Sequence, residues 1–481
     1  MNAGHSPVIL WFRRDLRLYD HAALMAACDS GRPVIPVFIL DDRAAKLGAA
    51  PKWRLGLALE RFGETLKQKG SRLILRRGPA EKVLRDLIGE TGAGAVFWTR
   101  LYDPDSLARD TDVKTTLRKR EIEARSFPGH VMFEPWTAQT GKGGFFRVFT
   151  PFWNSVRRRS DDVELLPAPG KIPGPDVWPR SNHIDDWNMG QAMNRGADIV
   201  RGHVRPGEDA ALARLDRFMD DRVEGYSDRR DYPADDATSG LSENLSLGEI
   251  SPHRCWAAAR RLADEGSAGA VTFQKQLVWR EFAWHLMFHT PRMISGNWRE
   301  NWDAFPWRTD HMASDVIAWK QGRTGLPFVD AGMRELYVTG RMHNRVRMIA
   351  ASFLTKHLMC HWKIGMDWFA DCLTDWDPAS NAMGWQWVAG SGPDAAPYFR
   401  VFNPQTQADR FDHGENYVRR WIAEGQINPP ETALDYYRAV PLAWNLSPAD
   451  PYPAPVIGLK EGRARALAAY GNRNFHDFPT T

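Results

Sequence analysis

The chain has 481 residues and a net charge of +4, with 25% of residues charged and 43% apolar. These values describe a water-soluble globular chain with room for two or three domains, and a charge this mild permits a polyanionic partner without requiring one. No stretch approaches the ~18 apolar residues of a membrane span, and none of the four cysteines (Cys28, Cys255, Cys360, Cys372) stands in a Cys-x-x-Cys pair, which excludes a zinc site and a disulfide framework and argues against an iron–sulfur cluster.

In chain order, residues 8–12 (Val-Ile-Leu-Trp-Phe) read as a buried strand, in an apolar run too short for a signal peptide, so a reducing cytoplasm is expected. Residues 22–28 are Ala-rich and helical, 34–40 form a second apolar strand, and 52–69 an amphipathic helix closed by Gly70. A third strand follows at 72–75, a helix at 80–89 and a fourth strand at 95–98. This alternation predicts a doubly wound, Rossmann-like α/β domain with a parallel sheet. It lacks Gly-x-Gly-x-x-Gly after the first strand, which excludes a dinucleotide fingerprint and NAD. From about residue 130 the texture changes. Gly141-Lys-Gly-Gly144 precedes Phe145-Phe-Arg-Val-Phe-Thr-Pro-Phe152, and a Pro/Gly-rich run over 167–175 reads as a surface connector. Beyond about residue 206 the apolar spacing is helical. The expected organisation is an α/β domain over 1–130, a connector over 131–205 and an all-α domain over 206–481.

Tryptophan is the compositional outlier at 21 residues. A helical core absorbs about half of them, since an indole buries much area. It does not account for Trp385-Gln-Trp387 beside glycine and polar groups. Four constellations suggest chemistry. Asn344, Arg347 and Met348 share a helical face, with Asp375 as the carboxylate a buried Arg347 needs; a structural salt bridge is the competing reading. Gln276, Trp279 and Arg280 line another stripe, suited either to a flat heterocycle beside phosphate or to an ordinary amphipathic edge. Thr238-Ser239-Gly-Leu241-Ser242 offers hydroxyls and backbone N–H groups to a diphosphate, or simply caps a helix. Arg400 and Asn403 lie among Tyr398, Phe399 and Phe402, as a nucleic-acid groove or a packed loop requires. No Ser–His–Asp order or phosphate loop with Lys stands out, so the chemistry is expected to belong to a cofactor.

Read together, Leu10-Trp-Phe-Arg-Arg-Asp-Leu-Arg-Leu18, Thr238-Ser-Gly-Leu-Ser242, Trp279-Arg-Glu-Phe282, Gly322-Arg-Thr-Gly-Leu-Pro-Phe-Val-Asp-Ala-Gly-Met333, Met342-His-Asn-Arg345, Gly384-Trp-Gln-Trp387 and Ala395-Ala-Pro-Tyr-Phe-Arg400 closely resemble, in the same order, the DNA photolyase/cryptochrome family. The resemblance implies FAD, bent within the helical domain and held by Tyr226, Thr238, Ser239, Leu241, Ser242, Arg280, Asn344, Arg347, Phe369, Asp375, Asp377 and Asn381, with Asn381 facing flavin N5. It implies a photoreducing electron chain of Trp385, Trp362 and Trp307. It also implies a lesion pocket of Gln276, Asn344 and Met348, clamped by Trp279 and Trp387. Arg230, Arg345, Arg400 and Asn403 would contact DNA. An antenna chromophore, a folate (methenyltetrahydrofolate) or a deazaflavin, is expected in the α/β domain, where residues 49–54 occupy the place of the family's antenna loop and 100–104 follow the fourth strand.

The implied activity is light-driven repair of UV-damaged DNA, in which photoexcited, fully reduced FAD donates an electron to a flipped-out cyclobutane pyrimidine dimer. Asn344 and Met348 favour that lesion, because (6-4) photoproduct enzymes carry histidines at these places. Three departures stand out: Gln276 where Glu is usual, Gly240 for a basic residue, and Arg341 for a Trp. The alternatives are (6-4) photoproduct repair, suggested by Gln276, and a cryptochrome-type light sensor, for which a longer tail than one ending at Thr481 is expected. A bacterial cytoplasmic monomer without an obligate protein partner or a membrane partner completes the expectation.

Overall fold

In the computed structural model, residues 6–157, 159, 164–394 and 399–472 are described. Arg158, the 395–398 part of the Ala395-to-Arg400 motif with Tyr398, and the segment beyond residue 472 lie outside them. The chain divides into two compact units, one of residues 1–192, 205–227 and 238–291, the other of 193–204, 228–237 and 292–481.

The first unit is built on five parallel strands, β1 (Val8–Phe12), β2 (Val34–Leu40), β3 (Ile74–Arg77), β4 (Ala95–Thr99) and β5 (Glu123–Phe127), in the order β3-β2-β1-β4-β5. The three inner strands, β2, β1 and β4, are buried without alternation because both sheet faces are covered. Val8, Leu10 and Phe12 join Leu24, Leu55 and Phe62 in the core on one side. Ile9 and Trp11 join Leu84, Val96 and Val113 on the other. The helix Pro104–Arg118 and β5 were not marked by sequence. That helix has no clear apolar stripe, burying only Ser106, Val113 and Leu117, and β5 is an edge strand with Ala124 as its one fully buried residue. Its pairing with β4, not its composition, makes it a strand. The helix expected over 52–69 is Ala49–Gln68, so residues 49–54, at the place of the family's antenna loop, form its first turns. Arg54 there is fully buried and pairs with Glu243 at 3.3 Å and Glu249 at 2.6 Å, which fastens the helical stretch Ser242–Leu247 to the sheet layer. The helices Glu208–Asp221, Pro252–Asp264 and Ala268–His289 complete this unit.

The second unit is helical. Pro327–Thr339, Asn344–Ser352, Trp362–Cys372 and Pro378–Ala389 form its centre, with a π-helical turn at Phe353–His357. Arg334 and Glu424, both buried, pair at 2.6 Å beside Tyr437. Two glycines set close approaches. A Cβ on Gly332 would lie 2.2 Å from Val346, and one on Gly365 would lie 2.0 Å from the Trp385 ring. Among the described residues no helix is long and apolar enough to cross a membrane, and no cluster of His, Cys, Asp and Glu could hold a metal.

Candidate functional site

In the first unit the helix Ala268–His289 begins on a Ser267 cap and carries Gln276, Trp279 and Arg280 on one face, each partly exposed. Phe149 lies flat against the Trp279 indole, with ring centroids 3.7 Å apart and planes 4° from parallel. Arg280 donates to Glu281 at 3.0 Å. The other Glu281 oxygen accepts from the Met132 and Phe133 amides at 2.6 and 3.3 Å. Burial pushes the Glu281 carboxyl up to about 7, against the pull of Arg280. Glu281 was not singled out from sequence; the available signal was a lone acid between Arg280 and the apolar run starting at Phe282.

The turn over 238–242 has Gly240 at φ +64°. A residue without Cβ adopts this left-handed conformation without penalty, which gives the departure from a basic residue a backbone reason. The turn is held from behind. Arg222 donates to the Thr238 carbonyl at 3.3 Å, Arg214 to the Gly240 carbonyl at 3.4 Å, and the Leu241 amide to Ser239 Oγ at 3.5 Å. Leu241 is buried, and Ser242 opens the helix Ser242–Leu247. Tyr226 is buried edge-on against Phe218 and Phe273. In the place expected to hold an antenna, Arg100 pairs with Glu134 at 2.7 Å and Asp103 caps the helix Pro104–Arg118.

In the second unit Asn344 opens the helix Asn344–Ser352 after a His343 cap, and its amide lies 3.9 Å from Met348 Sδ. Arg347 donates to the Met342 carbonyl at 2.7 Å and to Asp375 at 2.8 Å. Asp377 caps the helix Pro378–Ala389, where Asn381 donates to the Asp377 carbonyl at 3.0 Å. Phe369 meets Trp385 edge-on, centroids 4.9 Å apart. Trp362 is fully buried and donates its N–H to Asn297 Oδ1 at 2.8 Å. Trp307 is also buried. It donates to the Thr355 carbonyl at 3.2 Å and stacks on Trp302 with centroids 5.6 Å apart. His361 packs between the two, 5.2 Å from Trp307 and 5.3 Å from Trp362, and burial with Lys363 nearby keeps its pKa below the ordinary histidine value.

Gln386, between Trp385 and Trp387, is buried and clamps the 293–298 loop. It donates to the Met293 and Gly296 carbonyls at 2.7 and 3.1 Å and accepts from the Trp298 amide at 2.6 Å. Neither it nor Asn297 was marked from sequence, because only the fold brings that loop to the helix.

The residues assigned to DNA are partly engaged. Arg345 pairs with Asp231 and lies 4.4 Å over the Phe411 ring. Arg230 lies 3.9 Å from Asp231, and exposed Arg400 lies 5.9 Å over Phe402. Asn403 uses its side-chain oxygen to cap the helix Pro404–Phe411. Trp387 donates to the Asp394 carbonyl at 3.0 Å, and Arg341 reaches the His203 carbonyl at 3.3 Å.

The residues fit a flavin nucleotide on one specific point. Asp375 is buried with one oxygen on Arg347 and the other, Oδ1, without a hydrogen-bond partner. An unmet buried carboxylate oxygen is costly unless a donor is supplied, and a ring N–H or a sugar hydroxyl of FAD is such a donor.

A five-stranded parallel sheet, a helical unit with buried aromatic side chains and a part-buried Arg347–Asp375 pair with one unmet carboxylate oxygen have the features of a flavin-binding protein. Residues 8–171 match the DNA photolyase family and residues 273–472 the FAD binding domain of DNA photolyase. The deoxyribodipyrimidine photo-lyase of Agrobacterium fabrum is 44% identical over 98% of both chains. Among solved structures, a bacterial class III photolyase from Agrobacterium tumefaciens superimposes with a TM-score of 0.88 at 43% identity, covering 98% of each chain. An archaeal photolyase from Sulfolobus tokodaii, described with two FAD molecules, does so with 0.78 at 30% identity over 97% of this chain and all of that one. The chain belongs to the DNA photolyase/cryptochrome family.

Proposed function

We propose that the protein is a deoxyribodipyrimidine photo-lyase that repairs cyclobutane pyrimidine dimers in DNA in blue light. When bound, fully reduced FAD supplies the excited electron that splits the dimer. The residues named from the resemblance do the rest. Trp279 and Trp387 present indole faces to the flipped bases, and a damaged, poorly stacked site costs less to open. Gln276 donates and accepts hydrogen bonds at the bases without adding charge. Arg230, Arg345 and Arg400 bind phosphates, so affinity falls with salt. Trp385, Trp362 and Trp307 pass electrons inward to restore the reduced cofactor, and Asp375, Arg347 and Asn381 hold it. An antenna chromophore, folate, deazaflavin or a second flavin, belongs to residues 1–130.

The observation that carries the choice of lesion is the Asn344–Met348 pair. It puts an uncharged amide and a thioether on one partly exposed helix face, where proton-transfer chemistry on a (6-4) photoproduct would need a histidine. The test is repair by the reduced holoprotein of DNA with one defined thymine dimer, in light and in darkness. Loss of dimer only in light supports the proposal. No loss, with repair of a (6-4) duplex instead, overturns the choice of lesion. No repair of either, with FAD bound and photoreducible, leaves a sensor.

A further inference from the structure

The Gly-rich and Phe-rich segment over 141–152, which sequence placed in a connector, lies along the helix Ala268–His289. Phe145 stacks on His289 with centroids 4.7 Å apart and planes 6° from parallel. The Phe146 amide donates to His285 Nε2 at 3.1 Å, while the other ring nitrogen lies 3.2 Å from the Pro135 carbonyl. An Nε2 that accepts requires a neutral ring, and burial with His289 beside it pushes His285 down to about 4. Phe152 packs on Phe282 and His285 at 5.2 and 5.0 Å. Phe149 then meets Trp279 at 3.7 Å and 4°. The segment is a strap pinned at three points along the helix, with Phe149 as its contact on the indole.

Aromatic pairs left to themselves prefer offset or edge-to-face arrangements with centroids about 4.5–7 Å apart. The Phe149–Trp279 pair is closer and flatter. Phe149 opens the helix Phe149–Val156, whose Phe152, Trp153 and Val156 are buried, so the backbone on either side sets where its ring lies. One face of the Trp279 indole is thereby covered and its plane fixed, so a base can stack only on the other face. A surface fixed before binding avoids the ordering cost on association.

We propose that Phe149 is a positioning residue for lesion recognition: through the 145–152 strap it fixes the plane of Trp279 as a one-sided stacking surface for the flipped base. The inference rests on the reading of Trp279 as a lesion clamp. The test uses FAD-loaded protein in the dark and compares affinity for dimer-containing and undamaged DNA in Phe149→Ala, Phe149→Leu, Phe149→Tyr, Trp279→Ala and Phe149→Ala/Trp279→Ala. Phe149→Ala and Phe149→Leu should lose about tenfold in lesion affinity, the scale of one aromatic pair, with flavin content and undamaged-DNA affinity kept. Phe149→Tyr, which restores the flat ring, should recover the loss. In the double variant the two losses should not add. If Trp279→Ala keeps lesion affinity, the clamp reading itself is wrong. If Trp279→Ala weakens lesion binding while Phe149→Leu does not, or if the losses add in full, the positioning role is overturned. Should Phe149→Ala fail to fold, Phe149→Leu, which keeps most of the apolar volume without the flat face, decides alone.

Discussion

Two sets of buried indoles, one in the sheet and one in the helical unit, differ in what touches them. Trp11 and Trp98 pack together across β1 and β4 with centroids 6.2 Å apart. The guanidiniums of Arg13 and Arg109 lie 4.3 and 4.8 Å from the Trp11 ring, and its N–H has no partner. A positive charge on that ring would meet each cation at a cost of about 4 kcal/mol at an effective dielectric of ~20, offset only in part by the carboxylates of Asp110 and Asp41 that pair with them. Trp362 and Trp307 instead donate to neutral oxygens, with a neutral imidazole between them. Oxygen dipoles aimed at an indole N–H favour a positive ring. The same residue type is thus a packing element in the sheet and, on the electron-chain role proposed above for Trp362 and Trp307, suited to carrying a hole in the helices, and its neighbours make the difference.

The sharpest way to break this comparison is to exchange the fates of the two sets. Trp362→Phe should abolish photoreduction of bound flavin, measured by absorbance under blue light, while Trp11→Phe should leave it at the wild-type rate. Equal rates in wild type and Trp362→Phe would end the distinction.

Gly365→Ala tests how tightly the helical set is packed. The added methyl would fall within the Trp385 ring, and relief by repacking should lower stability by about 1–3 kcal/mol and slow photoreduction. Unchanged unfolding and photoreduction would show that the indole has room to move.

Asp375→Asn replaces one partner of Arg347 and the unmet oxygen at once. FAD retention after gel filtration should fall, and the loss of a charge-assisted bond should cost about 1–3 kcal/mol. Retention equal to wild type would remove Asp375 from the cofactor site.

The smallest effect is on pH. Burial holds His285, His343 and His357 at about 4, whereas an unfolded histidine titrates near 6.5. Their neutral forms stabilise the fold fully above 6.5, and that contribution is lost as pH falls toward 4. Glu281, raised to about 7 from an unfolded value near 4.5, acts in the opposite sense, losing its contribution as pH rises through 7. Six histidines held low (His130, His253 and His361 with the three above) outnumber four carboxyls held high (Glu208, Asp330 and Glu335 with Glu281), which predicts a thermal midpoint that declines from pH 6.5 to 4. In Glu281→Gln the decline should be steeper, because one opposing carboxyl is gone. A flat profile would contradict the buried, neutral state of the histidines.

Much of the fold was legible in sequence where burial on both faces wrote continuous apolar runs: β1 and β2 fall at the expected residues. β5 and the Pro104–Arg118 helix were not, because an edge strand and a polar helix carry little periodicity. At the site, the Asn344, Arg347 and Met348 spacing and the Arg347–Asp375 pair followed from helical geometry and from the need of a part-buried cation for a carboxylate. The ordered motifs then supplied the family. Tertiary structure alone decided what came from distant parts of the chain. It placed Asn297 under Trp362, 65 residues away, and laid residues 145–152 along the helix that carries Trp279. It turned Arg54, at the place of an antenna loop, into a buried cation for two glutamates. Local sequence encodes helical and strand periods and the chemistry of neighbours a turn away. A hydrogen-bond partner or a stacked ring far along the chain leaves no period, and it exists only once packing has brought it there.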